Sequence, residues 1–376
     1  MTIAASPGAV RPYRRILIAG GGTGGHLMPA LAIAHALQEH APGLEPVLVG
    51  AARGVEARLL PSRDFRYHLL PSEPIYRRTW WRNIRWPFVA GRLLREIARV
   101  FETEQPIAVL GTGGYASGPL VWWAARHGIP TAIQEQNAYP GLATRWLSRR
   151  VRHVYLGLPE ARRLLRFGKA TEVFDTGNPI APPAPGRRGA AVAKFGFGLD
   201  WRRPIVLVTG GSQGALAINR AVAGWLDAGG PGQAMLIWVT GRSTYEEFAH
   251  YHRPPEIQVL DFLDPMADGY AVADLVVSRA GMITVAELCA WGLPSVLIPL
   301  PTAAADHQSH NARVLAESGA SLLLRQSELT PERLRDVISG LLGDPAGRKQ
   351  MAERALARGR PNAAREIVSK LLTLAA

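Results

Sequence analysis

The sequence predicts an α/β protein of two doubly wound domains facing a cleft, and three observations carry that reading. Short apolar runs that suit buried parallel strands alternate with helical patterns through both halves of the chain. A stretch rich in Pro and Gly, Asp175 to Gly186, interrupts the alternation once, near the middle. The chain has 376 residues, too many for one small core. In such folds ligands bind beyond the carboxyl ends of the strands, so two linked sheets enclose a cleft there.

In the first half the apolar runs place strands at 15–19, 46–50, 66–70, 107–110, 131–134, 151–155 and 171–174. The strand Arg15-Ile16-Leu17-Ile18-Ala19 feeds Gly20-Gly21-Gly22-Thr23-Gly24-Gly25-His26, and Pro29 to Leu37 has helical spacing. The same order of strand, glycine turn and helix recurs at Gly111 to Gly118 and at Thr209 to Ala215. Glycine lets a backbone approach a ligand, and a helix start offers amides and a positive dipole end to an anion. After the linker the strands restart near 204–208, 235–239, 256–260, 274–277, 295–299 and 320–324, and helices close the chain at 330–341, 344–357 and 361–374. The domains are expected at 11–178 and 179–360.

Composition narrows the class. Hydrophobic content of 47% with 19% charged residues suits a globular enzyme and not a disordered chain. The single cysteine, Cys289, excludes an internal disulfide or a cysteine metal cluster, and its apolar helical setting suits a core residue. Residues 1–12 lack the apolar core of a signal peptide, and no apolar run reaches the ~18 residues of a spanning helix. The net charge of +13 divides as +11 over residues 1–178 and +2 over the rest. Such a one-sided excess suits an anionic membrane surface or nucleic acid, or reflects an arginine-biased composition. The segment from Pro74 to Phe88 interleaves Ile75, Trp80, Trp81, Ile84 and Trp86 with Arg77, Arg78, Arg82 and Arg85, and Trp122-Trp123 follow later. Aromatic rings beside arginines fit a water–headgroup boundary, a stacking platform for single-stranded nucleic acid, or the start of a packed helix; the charge asymmetry favours the membrane boundary.

Several constellations carry chemistry. Gly20-x-Gly22-x-x-Gly25 matches a dinucleotide fingerprint, but the second strand ends Val47-Leu48-Val49-Gly50 without the ribose-binding acid; the next acid is Glu56. This disfavours a nicotinamide cofactor. His26 ends the motif, where a histidine can accept a proton or bind phosphate or sugar. Gly210-Gly211-Ser212-Gln213-Gly214-Ala215 lacks the P-loop lysine and suits a departing diphosphate. Ser278 to Glu287 forms a fourth strand-to-helix turn, in which Glu287 can hold a ribose diol. Asp306-His307-Gln308-Ser309-His310-Asn311 and Gln134-Glu135-Gln136-Asn137 are polar clusters at strand ends, suited to sugar hydroxyls. His307 and His310 lack an obvious third ligand, so no metal site is expected.

In their order, Gly20–His26, Gly113-Gly114-Tyr115-Ala116-Ser117-Gly118-Pro119, Glu135-Gln136-Asn137, Gly177-Asn178-Pro179, Gly210–Gly214 and Asp306-His307-Gln308 resemble one family, over about residues 14 to 375. It is the undecaprenyldiphospho-muramoylpentapeptide N-acetylglucosaminyltransferase family. The resemblance implies the GT-B architecture, with the helix at 361–375 completing the first domain. It implies an inverting transfer of N-acetylglucosamine from UDP-GlcNAc to the C4 hydroxyl of lipid I, giving lipid II for peptidoglycan synthesis, with no cofactor.

The same resemblance implies the site. His26 and Asn137 would be catalytic, with Thr23, Gly24, Gly25 and Asn137 also facing the donor. Phe262, Leu263 and Met266 would flank uracil, Glu287 would bind ribose, and Ser212, Gln213 and Gly214 the diphosphate. Met282, Ile283 and Thr284 would approach the donor, and His307 and Gln308 would hold the sugar. Gly22, Thr23, Gly24, Gly113, Gly114, Tyr115 and Ser117 would receive the lipid diphosphate. The segment from Ile75 through Trp86, with Trp122, would meet the anionic cytoplasmic face of the bacterial plasma membrane, with other cell-wall synthesis proteins as further partners. One departure is Ala181, where the family carries an arginine after Gly-Asn-Pro-Val. A UDP-sugar epimerase or hydrolase, a nicotinamide oxidoreductase and a non-catalytic membrane or nucleic-acid binder are the competing readings.

Overall fold

The computed structural model describes residues 14–73, 86–184, 186–197, 203–211 and 214–375. Of the expected membrane face, Ile75, Arg77, Arg78, Trp80, Trp81, Arg82 and Ile84 lie outside the described residues, as does the side chain of Trp86. Ser212 and Gln213 of the third glycine turn also lie outside them.

The first half builds strand β1 (Arg14–Gly20), helix α1 (Gly24–His40), β2 (Leu44–Ala51), the short α2 (Glu56–Leu59), β3 (Arg66–Leu70) and α3 (Trp86–Glu104). It continues with β4 (Ala108–Gly113), α4 (Ser117–Arg126), β5 (Thr131–Glu135), α5 (Leu142–Leu147), β6 (His153–Leu156) and β7 (Glu172–Phe174). These strands form one parallel sheet in the order β3-β2-β1-β4-β5-β6-β7. Crossover to the far side after β3 places a switch point between β1 and β4, where the first two glycine turns meet.

The second half repeats the plan with α6 (Arg187–Lys194), β8 (Ile205–Thr209), α7 (Leu216–Asp227), β9 (Met235–Val239), α8 (Tyr245–Phe248), β10 (Ile257–Leu260), α9 (Met266–Val272) and β11 (Leu275–Ser278). Then come α10 (Met282–Trp291), β12 (Ser295–Leu297), α11 (His307–Glu317), β13 (Leu322–Leu323), α12 (Pro331–Gly343), α13 (Pro345–Arg358) and α14 (Ala363–Ala375). The second sheet is also parallel, in the order β10-β9-β8-β11-β12-β13. Its switch point lies between β8 and β11, so the turns after those strands face the same crevice.

The central strands are apolar runs because both faces are covered, as parallel sheets require. Ile16 and Ile18 pack toward α1, while Leu17 and Ala19 pack toward α3 and α4. α14 leaves the second half and lays Ile367, Val368 and Leu371 into the first core beside α1. α12 and α13 start as their sequences dictate, with Pro at the first helical position and a capping side chain before it. Thr330 accepts from Arg333 N at 3.1 Å, and Asp344 accepts from Gly347 N at 2.9 Å. α1 begins at Gly24, five residues ahead of the expected Pro29. Its early start is held from outside, where the Thr112 hydroxyl donates to the His26 carbonyl at 2.8 Å.

Candidate active site

Glu56 governs the first glycine turn. Its side chain is fully buried, and its carboxylate accepts from Gly22 N at 2.8 and 2.9 Å and from Ala51 N at 2.7 Å. A Cβ on Gly21, Gly50 or Gly54 would lie within 2.4 Å of a Glu56 side-chain atom, so these three glycines make room for the carboxylate. The acid missing from the end of β2 thus comes from five residues further on and points under the turn instead of toward a ribose. This corrects the expectation for Gly22: its amide already binds an anion belonging to the chain, so it is not a lipid-diphosphate donor. With Glu56 turned under the glycine turn, the end of β2 offers no carboxylate to a ribose, which argues against a nicotinamide site.

The second turn packs on the first. Gly21 N donates to Gly113 O at 3.4 Å, and a Cβ on Gly114 would overlap the Gly21 carbonyl. A Cβ on Gly113, at φ +101°, would lie 2.6 Å from His26 Nδ1. Gly113 and Gly114 are therefore required as glycines by backbone packing and by the seating of a histidine. Ser117 is buried, with its hydroxyl turned toward Gly111. Tyr115 covers Gly22 with its ring. What remains open is the first turn of α1. Thr23, Gly24 and Gly25 are exposed, and no atom lies within 4 Å of a Cβ built on Gly24. His26 N and Leu27 N turn back to Thr23 O, both at 3.2 Å, so Gly24 and Gly25 lead this 17-residue helix.

His26 sits half-buried at the junction of α1, β4 and β5. Its Nδ1 lies 3.1 Å from Thr112 O and 3.3 Å from Gln136 Oε1. A backbone carbonyl can only accept, so Nδ1 carries the proton and Nε2 keeps the lone pair. Burial holds the imidazole below the usual histidine range; the Glu135 carboxylate opposes this, and the His307 ring from the second half adds to it. His26 is consequently neutral near pH 7, the form a proton acceptor needs.

Glu135 accepts from Asn137 N, Asn137 Nδ2 and Gly141 N at 3.0, 3.2 and 3.0 Å, which closes the loop after β5 around its carboxylate. Asn137 is turned to the joint between the halves: its Oδ1 accepts from Asn311 Nδ2 at 3.2 Å, while Asn311 Oδ1 accepts from Ala138 N at 3.0 Å. Each end of the Asn137 amide makes one of these bonds and keeps a second N–H or lone pair, so the residue is held at the joint between the halves. Next to it Tyr139 stacks on His310 with ring centroids 4.7 Å apart. Further along the joint Arg358 pairs with Glu160 at 2.7 Å. Asn311 is fully buried and was visible in sequence only as one member of a polar cluster.

In the second half the turns after β8 and β11 open onto the same side. A Cβ on Gly211 or Gly281 would meet nothing within 4 Å, whereas one on Gly214 would strike Thr240 O. Gly214 N also donates to Gly211 O at 2.9 Å. Gly214 is therefore required by packing, and its amide is not available to a diphosphate. Met282, Ile283 and Thr284 form the first turn of α10; the Met282 side chain is buried, leaving its backbone to meet a ligand. Phe262 is exposed beneath the Arg242 guanidinium, 4.9 Å from the ring centroid. Leu263 points into the core against Gly269 and Met266 is half-buried on the same cluster, so of the expected uracil contacts Phe262 offers the most open side chain. Glu287 accepts from the Tyr270 hydroxyl at 2.9 Å, and burial raises its carboxyl above the usual range. His307 Nδ1 lies 2.7 Å from Ala304 O, so its Nε2 is the exposed nitrogen, and Gln308 accepts from Leu300 N at 3.0 Å, leaving its amide group to donate. Arg242, in the Gly241 turn after β9, and Tyr270, on α9, were not singled out in the sequence.

A separate surface surrounds Trp122. Trp122 stacks on Trp146 at 6.5 Å, with Arg126 over the Trp122 ring at 5.6 Å and Arg150 over the Trp146 ring at 4.5 Å. Trp146 and Leu142 on α5 and Phe88 on α3 are exposed, Phe88 by 85%. Arginine–aromatic pairs in the open are enriched where a surface meets a headgroup layer. No described helix is long and apolar enough to cross a membrane.

Two doubly wound sheets with open helix starts at their carboxyl ends make the fold, and the two family matches make the class a two-domain glycosyltransferase. The Glycosyltransferase family 28 N-terminal domain matches residues 16–156, and the family 28 C-terminal domain matches residues 205–367. The chain is 39% identical to the UDP-N-acetylglucosamine–N-acetylmuramyl-(pentapeptide) pyrophosphoryl-undecaprenol N-acetylglucosamine transferase of Carboxydothermus hydrogenoformans, over 91% of this chain and 92% of that one. The protein of the same name in Chlorobaculum tepidum is 40% identical over 96% of this chain and 99% of its own. Among solved structures, Acinetobacter baumannii MurG superposes with a TM-score of 0.77 at 29% identity, over 96% and 99% of the two chains. A putative UDP-N-acetylglucosamine 2-epimerase of Listeria monocytogenes shares the fold at 15% identity and a TM-score of 0.68, over 96% of each chain. The chain belongs to the family of UDP-N-acetylglucosamine–N-acetylmuramyl-(pentapeptide) pyrophosphoryl-undecaprenol N-acetylglucosamine transferases.

Proposed function

We propose that this protein transfers N-acetylglucosamine from UDP-GlcNAc to the C4 hydroxyl of undecaprenyl-diphospho-N-acetylmuramoyl-pentapeptide, with inversion at the anomeric carbon. The observation that carries the mechanism is the His26 imidazole, whose Nδ1 proton is held by Thr112 O while Nε2 is left to accept. The acceptor hydroxyl gives its proton to Nε2 as its oxygen bonds the anomeric carbon. The bond from that carbon to the UDP oxygen breaks, and the electron pair leaves with UDP. Negative charge then grows near the starts of α7 and α10, where amides and helix dipoles favour it most in the transition state. Phe262 with Arg242 offers a face and a cation for the base, and Glu287 offers a carboxylate to the ribose. The lipid diphosphate is read onto Thr23, Gly24 and Gly25 at the open start of α1. No cofactor enters this scheme. The deciding experiment is UDP release from UDP-GlcNAc with and without a lipid I analogue, run with and without a chelator. Release that depends on the acceptor and ignores the chelator is expected; acceptor-independent release would favour a hydrolase.

The substrate's lipid tail asks for a surface that meets a membrane, and the Trp122–Trp146 face with Arg126 and Arg150 supplies one on the basic half. This supports a peripheral position on the cytoplasmic face of the plasma membrane, where other cell-wall synthesis proteins would be neighbours. Trp146→Ser combined with Arg150→Ser should weaken binding to vesicles containing anionic lipid by roughly 30-fold, from about 1 kcal/mol lost at each position. Turnover on a short-chain acceptor should stay the same. Unchanged vesicle binding would return this face to ordinary surface packing.

A further inference from the structure

The His26 ring is held by more than one carbonyl. Behind it stand three buried carboxamides, Gln136, Gln134 and Asn178, each at most 3% exposed. Gln136 Nε2 donates to Thr112 O at 2.5 Å and to Gln134 Oε1 at 2.6 Å. Gln134 Nε2 donates to Asn178 Oδ1 at 2.9 Å, and Asn178 Nδ2 donates to Gln136 O at 3.1 Å. Backbone carbonyls, which can only accept, anchor both ends of this chain. Asn178 must turn its NH2 to the Gln136 carbonyl, so its oxygen faces Gln134. Gln134 must then turn its own oxygen to Gln136, whose NH2 lies between two acceptors. That leaves one orientation for Gln136, with Oε1 directed at His26 Nδ1, 3.3 Å away. No member can flip alone without setting donor against donor or acceptor against acceptor.

The far anchor is also informative. Asn178 belongs to the linker between the halves, in Gly177-Asn178-Pro179. It lines a small cleft with Met282, Val285 and Cys289 of the second half. A Cβ on Gly157 would lie 2.3 Å from Asn178 Oδ1, so the chain beside the linker is cleared for this side chain.

We propose that Gln136, Gln134 and Asn178 form a positioning relay, anchored in the interdomain linker, that holds the His26 imidazole with its proton on Nδ1 and its Nε2 lone pair toward the cleft. This rests on the reading of His26 as the proton acceptor. The charged or titratable groups facing the ring are Glu135 at the end of β5 and His307 at the start of α11. The relay itself is neutral, so it orients the ring without fixing it in the protonated form.

The test uses the full-length protein and three variants. Gln136→Met removes the second acceptor at Nδ1, leaving Thr112 O, and should lower kcat about 10-fold, in the range of losses for groups that orient a catalytic histidine, with KM for UDP-GlcNAc within 2-fold. The lost bond favoured the charged ring, so the acid limb of the kcat profile should move to lower pH. Gln136→Glu keeps the volume and sets a carboxylate beside Nδ1, so the acid limb should move up by about one pH unit. Gln134→Met touches neither His26 nor a ligand and should lower kcat in the same direction as Gln136→Met. A structural role alone would move neither limb, and opposite shifts from the two Gln136 variants are its signature. Unchanged kcat and unchanged limbs in folded variants would overturn the relay. The 15N spectrum of the His26 ring, assigned with His26→Gln, reads it apart from catalysis. A single Nδ1–H form in wild type and a broadened or mixed form in Gln136→Met support the relay even if His26→Ala retains turnover, and identical spectra count against it.

Discussion

Replacing His26 with Ala is expected to lower kcat at least ~100-fold, the low end for an acid–base group, with UDP-GlcNAc binding unchanged. The expectation follows from which nitrogen is engaged. Nδ1 is taken by Thr112 O and Gln136 Oε1, so the ring can offer only Nε2 to a substrate hydroxyl. Burial lowers the imidazole pKa from its usual 6.5, chiefly because the charged ring would lose water. The sign of the pH dependence follows. The acceptor form is the neutral one, so wild-type kcat should rise as pH rises through a value below 6.5 and then level off. That limb should vanish in His26→Ala. Initial rates with a saturating lipid I analogue between pH 5 and 8, beside calorimetric titration with UDP-GlcNAc, check both parts. A variant within about 3-fold of wild type would remove His26 from the proton-transfer step and leave it a phosphate or sugar ligand.

The second large effect is expected at Glu56. Glu56→Ala should destabilise the first half by roughly 3 kcal/mol, because it strands the Gly22 and Ala51 amides and hydrogen bonds to a charged group contribute about 1.5–3 kcal/mol each. For a domain of this size that is a fall of about 6–12 °C in its thermal midpoint. Turnover should fall as well, since the Gly22 turn carries Thr23 through His26. Glu56→Gln should lose less, because one oxygen can still accept from both amides. Thermal melts followed by circular dichroism, with and without NAD(H), decide the point. A midpoint within 2 °C of wild type would mean that the turn is held by its contacts with Gly113 and Gly114 alone, and stabilisation by NAD(H) would revive the dinucleotide reading.

The strands were legible because a parallel sheet covered on both faces demands continuous apolar runs, and runs such as Ile205 to Val208 have no other ready explanation. The glycine turns were legible in place but not in purpose. Sequence marks Gly22, Gly113, Gly114 and Gly214 as permissive, yet whether the space beside a glycine holds a ligand or another loop is decided by residues far away in the chain. Gly114 lies against Gly21, and Gly214 lies against Thr240. Glu56 was read as an acid in the wrong place for a ribose; its burial under a turn 34 positions earlier has no local signature. Asn311 was hidden for the same reason, since its partners Ala138 and Asn137 are 173 and 174 positions away. His26 stood out because a histidine next to a glycine turn has few structural reasons to be there. The residues that orient it looked like a polar strand end, because an amide relay is a property of side-chain direction and not of spacing.

The return of α14 to the first half has a consequence for how the chain can be cut and rejoined. Arg14 Nη2 donates to the Ala375 carbonyl at 2.7 Å, so the first strand and the last helix end side by side. A circular permutant that joins 375 to 14 through a short spacer and opens at Gly186 would start with the whole second sheet. It would then run through α14 straight into β1. The polypeptide would cross between the halves once instead of twice, with every core contact retained. Such a single-crossing chain would turn the two halves into consecutive modules, which could be exchanged with those of a relative by one junction rather than two.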